Sequence, residues 1–268
     1  MINMKRDILS LSDFRLRLGE EYAEAYELWC KGVRFYRADA DRGTFSVERP
    51  AFRTSLNTGN EYTFLISEFL PSWKDFPKRN RCIIGAGNKE AAEEYMAPGN
   101  ALYCLFPRNG ALLAVAPTAD MWDSFSLLRN NFDIPSIDIF NSRLADMLSR
   151  LCGEADITFR EIDEIFRESV PAAVSAIFCK AEENFRKNNS SAKIKFWWEN
   201  EAFADFIVSG LLRGMNLVYL LDELLSPSKN GFQLTPLSKV KKFETEFWTD
   251  SQCLFVKECQ LSLFDCRK

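Results

Sequence analysis

The sequence predicts an α+β fold in which a mixed sheet is interrupted by a helical insertion. Three observations carry this prediction. Short apolar runs of strand character fall in the first 125 residues and return after residue 230. Between them, from about Ser136 to Leu225, apolar residues recur at helical spacing. The chain, 268 residues and 47% hydrophobic with 23 Phe, can bury a core of large flat side chains in one large domain or two small ones.

The elements follow in order. Residues 12–31 read as a helix: Ser12 or Asp13 can cap it, Phe14, Leu18, Tyr22, Ala25, Leu28 and Trp29 share a face, and Gly32 stops it. Residues 33–38 read as a strand with Val33, Phe35 and Arg37 on one side. A polar stretch over 39–60 reads as loop with some extended structure, and 60–70 as a short helix halted before Pro71. Residues 81–86 make an apolar strand, followed by a helix from Lys89 to Met96 that Pro98-Gly99 ends. The apolar runs 101–107 and 111–117 flank Arg108-Asn109-Gly110, and Asn-Gly predicts a hairpin. The helical middle breaks at Gly153, Pro171 and the polar run Lys187 to Ser191, and its clearest member is a helix over 200–225. Strands return at 231–234, 241–248 and 253–258. The expected organisation is a discontinuous domain of 1–125 and 226–268, with 126–225 inserted as helices.

Composition excludes several chemistries. The chain has no histidine, which removes Ser-His-Asp and Cys-His nucleophile pairs, HExxH zinc sites and histidine proton shuttles. The eight cysteines are scattered with no CxxC, so reduced thiols in a cytosolic protein are expected. Cys253, Cys259 and Cys266 lack the spacing and fourth ligand of a zinc site, and no metal is expected. A net charge of −4 and a pI of about 5.2 argue against a large nucleic-acid footprint, though not against nucleic acid as a substrate. The most apolar stretch, 203–225, carries Asp205, Arg213, Asp222 and Glu223, so no membrane span is expected.

Two groups of charged residues stand out. Arg37 shares its strand face with Val33 and Phe35, so its guanidinium needs a carboxylate or phosphate partner. A structural ion pair to Asp or Glu would serve as well as a pyrophosphate. In KKFETEFW, alternation sets Glu244, Glu246 and Trp248 on one face, where repulsion and an apolar wall can perturb a carboxylate. A charged edge strand would look the same. Gly85-Ala86-Gly87 is too short for a phosphate-loop signature, Gly210 and Gly214 read as close packing, and Lys239, Lys241 and Lys242 read as a solvated cluster or a patch that steers an acidic substrate.

The order of these features resembles the Arg–Ser–Glu class of ADP-ribosyltransferases, especially those of phages and bacterial toxins. Tyr36-Arg37 matches the Tyr-Arg of that class's first strand. Residues 81–86 take the place of its middle strand, and Ala92-Glu93-Glu94-Tyr95 matches the Ala-x-x-aromatic helix after it. Asn230 to Glu246 matches its substrate loop and Glu-x-Glu. The middle strand has no serine, so either Cys82 stands in or Ser55 supplies the hydroxyl. The likeness covers about 1–125 and 226–258 and finds no counterpart for the helical middle.

The resemblance implies an ADP-ribosyltransferase-like sheet and an NAD-dependent mono-ADP-ribosyltransferase, a toxin or phage–host conflict effector in the cytoplasm. NAD would be its substrate. A protein or nucleic acid would be its acceptor, and an antitoxin or immunity partner would fit such a setting. Arg37 would bind the pyrophosphate, with Tyr36, Cys82 and Ser55 completing the NAD site. Glu246 would stabilise the ribosyl cation and Glu244 would serve the acceptor. The missing serine favours the alternative, a non-catalytic interaction protein on the same scaffold that binds a partner through its helices.

Overall fold

The computed structural model describes residues 6–41, 43–52, 61–153, 157–168, 170–188 and 201–264. The chain divides into two compact units. One comprises Met1–Arg53, Phe76–Ser124 and Gly231–Lys268, the other Thr54–Asp75 and Phe125–Asn230. Of the described residues, 61–75 therefore group with the helices, where the sequence had assigned them to the discontinuous sheet domain.

The first unit is a mixed α+β body around an antiparallel sheet. Among the described residues nine strands take part: β1 (Arg6–Ile8), β2 (Tyr36–Ala40), β3 (Phe45–Glu48), β4 (Ile83–Ala86), β5 (Asn100–Pro107), β6 (Leu112–Val115), β7 (Gln233–Pro236), β8 (Glu246–Thr249) and β9 (Cys253–Lys257). Their order is β1-β3-β9-β5-β2-β4-β8-β6-β7. The sheet has a weak seam, because β2 meets β4 at the single pair Tyr36↔Ala86. Residues from both sides of the seam, among them Phe35, Leu105, Leu113, Phe247 and Phe255, share one core with Phe14 and Trp29. Those last two come from helices α1 (Leu11–Glu20) and α2 (Ala23–Cys30).

Several expectations are corrected here. The helix expected over 12–31 is two helices, and its cap is Ser10, whose hydroxyl accepts from the Asp13 amide. The 101–117 hairpin does not form: β5 pairs with β2 and β9, while β6 pairs with β7 and β8. The Asn-Gly turn is present but serves another purpose. Asn109 donates its side-chain amide to Glu20 O, its backbone amide goes to Glu21 O, and its Oδ1 accepts from Glu24 N. The turn thus satisfies the corner between α1 and α2, and the strands it joins diverge. The first expected strand starts at Tyr36 and the middle one at Ile83. The strand expected over 241–248 begins only at Glu246 and runs Glu246–Thr249.

In the second unit α3 (Glu61–Phe64) runs into a wider turn over Leu65–Phe69. The remaining helices are α5 (Ser126–Phe132), α6 (Ile137–Cys152), α7 (Phe159–Glu168), α8 (Pro171–Asn188), α9 (Glu201–Leu212) and α10 (Leu217–Leu225); α4 (Lys89–Glu93) belongs to the first unit. The expected helix 200–225 is broken where Gly214 takes φ +80°, and Asn216 caps α10 by accepting from Tyr219 N. Phe166 sits edge-on to Phe64, and Phe178 to Phe69; Ser72 donates its hydroxyl to Asp222 at 2.5 Å.

Among the described residues no helix is long and apolar enough to cross a membrane. Cys30 is disulfide-bonded, which departs from the expectation of reduced thiols throughout, while Cys82, Cys104, Cys152, Cys179, Cys253 and Cys259 are free.

Candidate functional site

The middle of the sheet brings distant segments into one row. Tyr36 on β2 pairs with Ala86 on β4, and Ala86 pairs with Glu246 on β8. Strands lie about 5 Å apart, so the row spans roughly 10 Å. Two glycines permit this closeness. A Cβ on Gly85 would lie 2.6 Å from Tyr36 O and 2.7 Å from the Phe247 ring, and one on Gly87 would run into the Phe243 backbone. Gly85-Ala86-Gly87 is therefore a packing device.

Glu246 is the buried acid of this row. It is 7% exposed. Its Oε1 lies 2.5 Å from Arg79 Nη1, in an ion pair with both side chains 10% exposed. Its Oε2 accepts from Met121 N at 3.4 Å. Its backbone is bonded to the segment after β6: Ala116 N donates to Glu246 O, and Glu246 N donates to Thr118 O. Burial pushes the Glu246 carboxyl above the ordinary carboxylate range; Arg79 opposes that shift and Asp120 adds to it.

Arg79 belongs to the turn Arg79–Arg81 that leads into β4. Its guanidinium carbon sits 5.0 Å over the ring of Trp248, which is wholly buried and donates its indole N–H to Pro77 O. The exposed Asp120 holds a tight bend, accepting from Trp122 N at 2.8 Å. Tyr95, just after α4, is an exposed residue (57%), yet its phenol is pushed up to about 12, first by desolvation and then by the charges of Asp120 and Glu246.

The expected site residues divide. Tyr36 is buried on the Glu246 row, packed with Ala86, Ala91 and Ala92, and burial raises its phenol pKa. Arg37 lies one position along. Alternation puts it with Phe35 on the opposite face, since Phe35 meets Phe247 at 5.1 Å and Glu246 points away from Phe247. Its Nε donates to Asp39 at 3.0 Å and its Nη1 to Ile84 O at 2.7 Å. Glu244 is exposed and precedes β8, so it does not share a strand face with Glu246. Cys82 is buried and donates its thiol to Arg79 O at 3.0 Å, which steadies the arginine's turn. Ser55 lies outside the described residues. Lys239, Lys241 and Lys242 are exposed.

Sequence reasoning missed Arg79 and Asp120. The basic run Lys78-Arg79-Asn80-Arg81 ahead of the strand was a usable signal for the first. Nothing local marks Asp120. Tyr95 was legible only as the aromatic of the Ala-x-x-aromatic pattern.

The arrangement can present a buried, charge-paired carboxylate near an exposed aromatic ring and a second, exposed carboxylate. No family model, no curated protein and no solved structure matches this chain.

Proposed function

We propose that the chain is an NAD-dependent mono-ADP-ribosyltransferase, with Glu246 as the carboxylate that stabilises the ribosyl cation. One observation carries the reading. The three segments that resemble the Arg–Ser–Glu motifs, far apart in sequence, form adjacent strands β2, β4 and β8, with Glu246 held on the shared row.

In this reaction the bond between ribose C1′ and the nicotinamide nitrogen breaks. The electron pair leaves with nicotinamide, which departs neutral and needs no histidine acid. The sugar carbon gains positive charge, and a fixed carboxylate stabilises it in a site of low polarity. The acceptor's nucleophile then bonds to C1′ and releases its proton to a base or to solvent. Arg37 holds β2 against β4 through Ile84 O, a framework role in place of the pyrophosphate clamp. The acceptor is a protein or a nucleic acid, and the setting is that of a cytoplasmic toxin or conflict effector with an antitoxin partner.

One observation favours the alternative, a non-catalytic interaction protein: Glu246 is deeply buried and Arg37 faces away from it. Release of nicotinamide from NAD separates the two. The wild-type chain is expected to release it, and Glu246→Gln to slow release by roughly a hundredfold or more. Equal rates for the two would hand the protein to the alternative.

A further inference from the structure

We infer that Arg79 is the positioning residue of this site, holding the Glu246 carboxylate ionised and fixed in orientation. The catalytic consequence rests on the function proposed above; the electrostatic one stands on the geometry.

The guanidinium is constrained on several sides. It pairs with Glu246 Oε1, and it lies over the Trp248 ring. Its turn is pinned from both ends, by Trp248 Nε1 bonding Pro77 O and by Cys82 Sγ bonding Arg79 O. A surface ion pair has no such supports, and its long side chains spend freedom to meet. Here that freedom is already removed by the stack and the turn. The arginine is also the right residue chemically, since a planar fork can stack on an indole and still reach a carboxylate at its edge.

The charges facing Glu246 come from three elements. Arg79 approaches from the turn before β4, Asp120 and the Met121 amide from the loop after β6, and Tyr95 from the end of α4. Asp120 is an acid, and Tyr95 is neutral below its raised pKa of about 12. Arg79 is thus a buried cation paired with the buried Glu246, while Asp120 adds negative charge from an exposed bend. Without it, burial and Asp120 both drive Glu246 to take up a proton, and a neutral carboxyl cannot stabilise a sugar cation.

The test uses the full chain with carboxyl-labelled glutamate, the Glu246 NMR signal being identified by its loss in Glu246→Gln. Arg79→Gln is expected to raise the Glu246 titration midpoint by one pH unit or more. It should also lower kcat for nicotinamide release tenfold or more, with KM for NAD within threefold. The acid limb of the kcat profile should move by the same amount as the midpoint. Arg79→Lys, which keeps the charge but loses the stack, should fall between wild type and Arg79→Gln on both readouts. It decides the matter should the glutamine variant fail to fold. An unchanged midpoint in folded Arg79→Gln, or Arg79→Lys indistinguishable from wild type on both readouts, overturns the inference. A chain that releases no nicotinamide but shows the midpoint shift refutes the enzymatic reading and leaves the role of Arg79 standing.

Discussion

Gly85→Ala tests the seam on which the site depends. The added Cβ would sit 2.6 Å from Tyr36 O and 2.7 Å from Phe247 Cε1. An ordinary contact between such atoms is about 3.5 Å, so something must move by about 0.8 Å. Backbone on one side and a ring wedged beside Phe35 on the other leave little room. Overpacking of this kind costs about 1–3 kcal/mol. The upper half of that range is expected, because β2 and β4 share a single paired position and have no reserve of ladder bonds. For a chain of this size that lowers Tm by roughly 4–10 °C in a thermal melt followed by circular dichroism. Gly19→Ala is the control: Gly19 is exposed in α1 with nothing within 4 Å of a new Cβ, and the change should stabilise by about 0.5–1 kcal/mol. If Gly85→Ala melts with the wild type while Gly19→Ala shows its gain, the close approach across the seam is wrong, and so is the row built on it.

Three further outcomes are expected. Glu244→Gln should change nicotinamide release by less than about threefold and stability by less than about 0.5 kcal/mol, because Glu244 is exposed and off the strand; a loss equal to that of Glu246→Gln would restore the paired-acid reading. Arg37→Met should cost about 2 kcal/mol in urea unfolding, since it strips partners from Asp39 and the Ile84 carbonyl; an unchanged midpoint would sink the framework role. The third concerns pH. The folded pKa of Glu246 is raised, so its contribution to stability is full below the unfolded carboxylate range and is lost as pH rises through the folded value. The stability of wild type relative to Glu246→Gln should therefore fall as pH is raised from about 4 toward neutrality, and a difference that grows with pH would reverse the direction of the shift.

Much of the fold was legible because its signals are local. The apolar spacing of α6 and α8 and the branched and aromatic runs of β5 and β9 need no partner to be read. Where reading failed, a distant group had taken over a local signal. Asn109-Gly110 is a good hairpin turn, yet its amides are spent on Glu20 and Glu21, and β5 and β6 pair elsewhere. The break in the 200–225 helix was within reach. Asn216 is an N-cap three residues before Tyr219, just past Gly214, but an apolar stripe on both sides hid the stop. Gly210 fits its reading as close packing, since a Cβ there would run into the Leu220 side chain.

The surroundings of Glu246 show why one charged residue was legible and its partner was not. Glu246 could be read from the sequence because it is an acid in a run of aromatics, beside Phe247 and Trp248, both of them wholly buried. Arg37 obeyed its local rule as well, since alternation placed it beside Phe35. The same alternation removes it from Glu246, and the reason lies in the register: Ala86 pairs with Tyr36 on one side and with Glu246 on the other. Had Arg37 been the paired residue, it would share the Glu246 face. A register one residue different flips every side chain of the strand, and nothing between positions 33 and 40 encodes which residue of β4 will be opposite. Arg79 escapes this ambiguity because it comes from a turn, where direction is set by its stack on Trp248 and not by strand parity. A buried carboxylate needs a cation within reach, and the fold supplied the one whose approach does not depend on register.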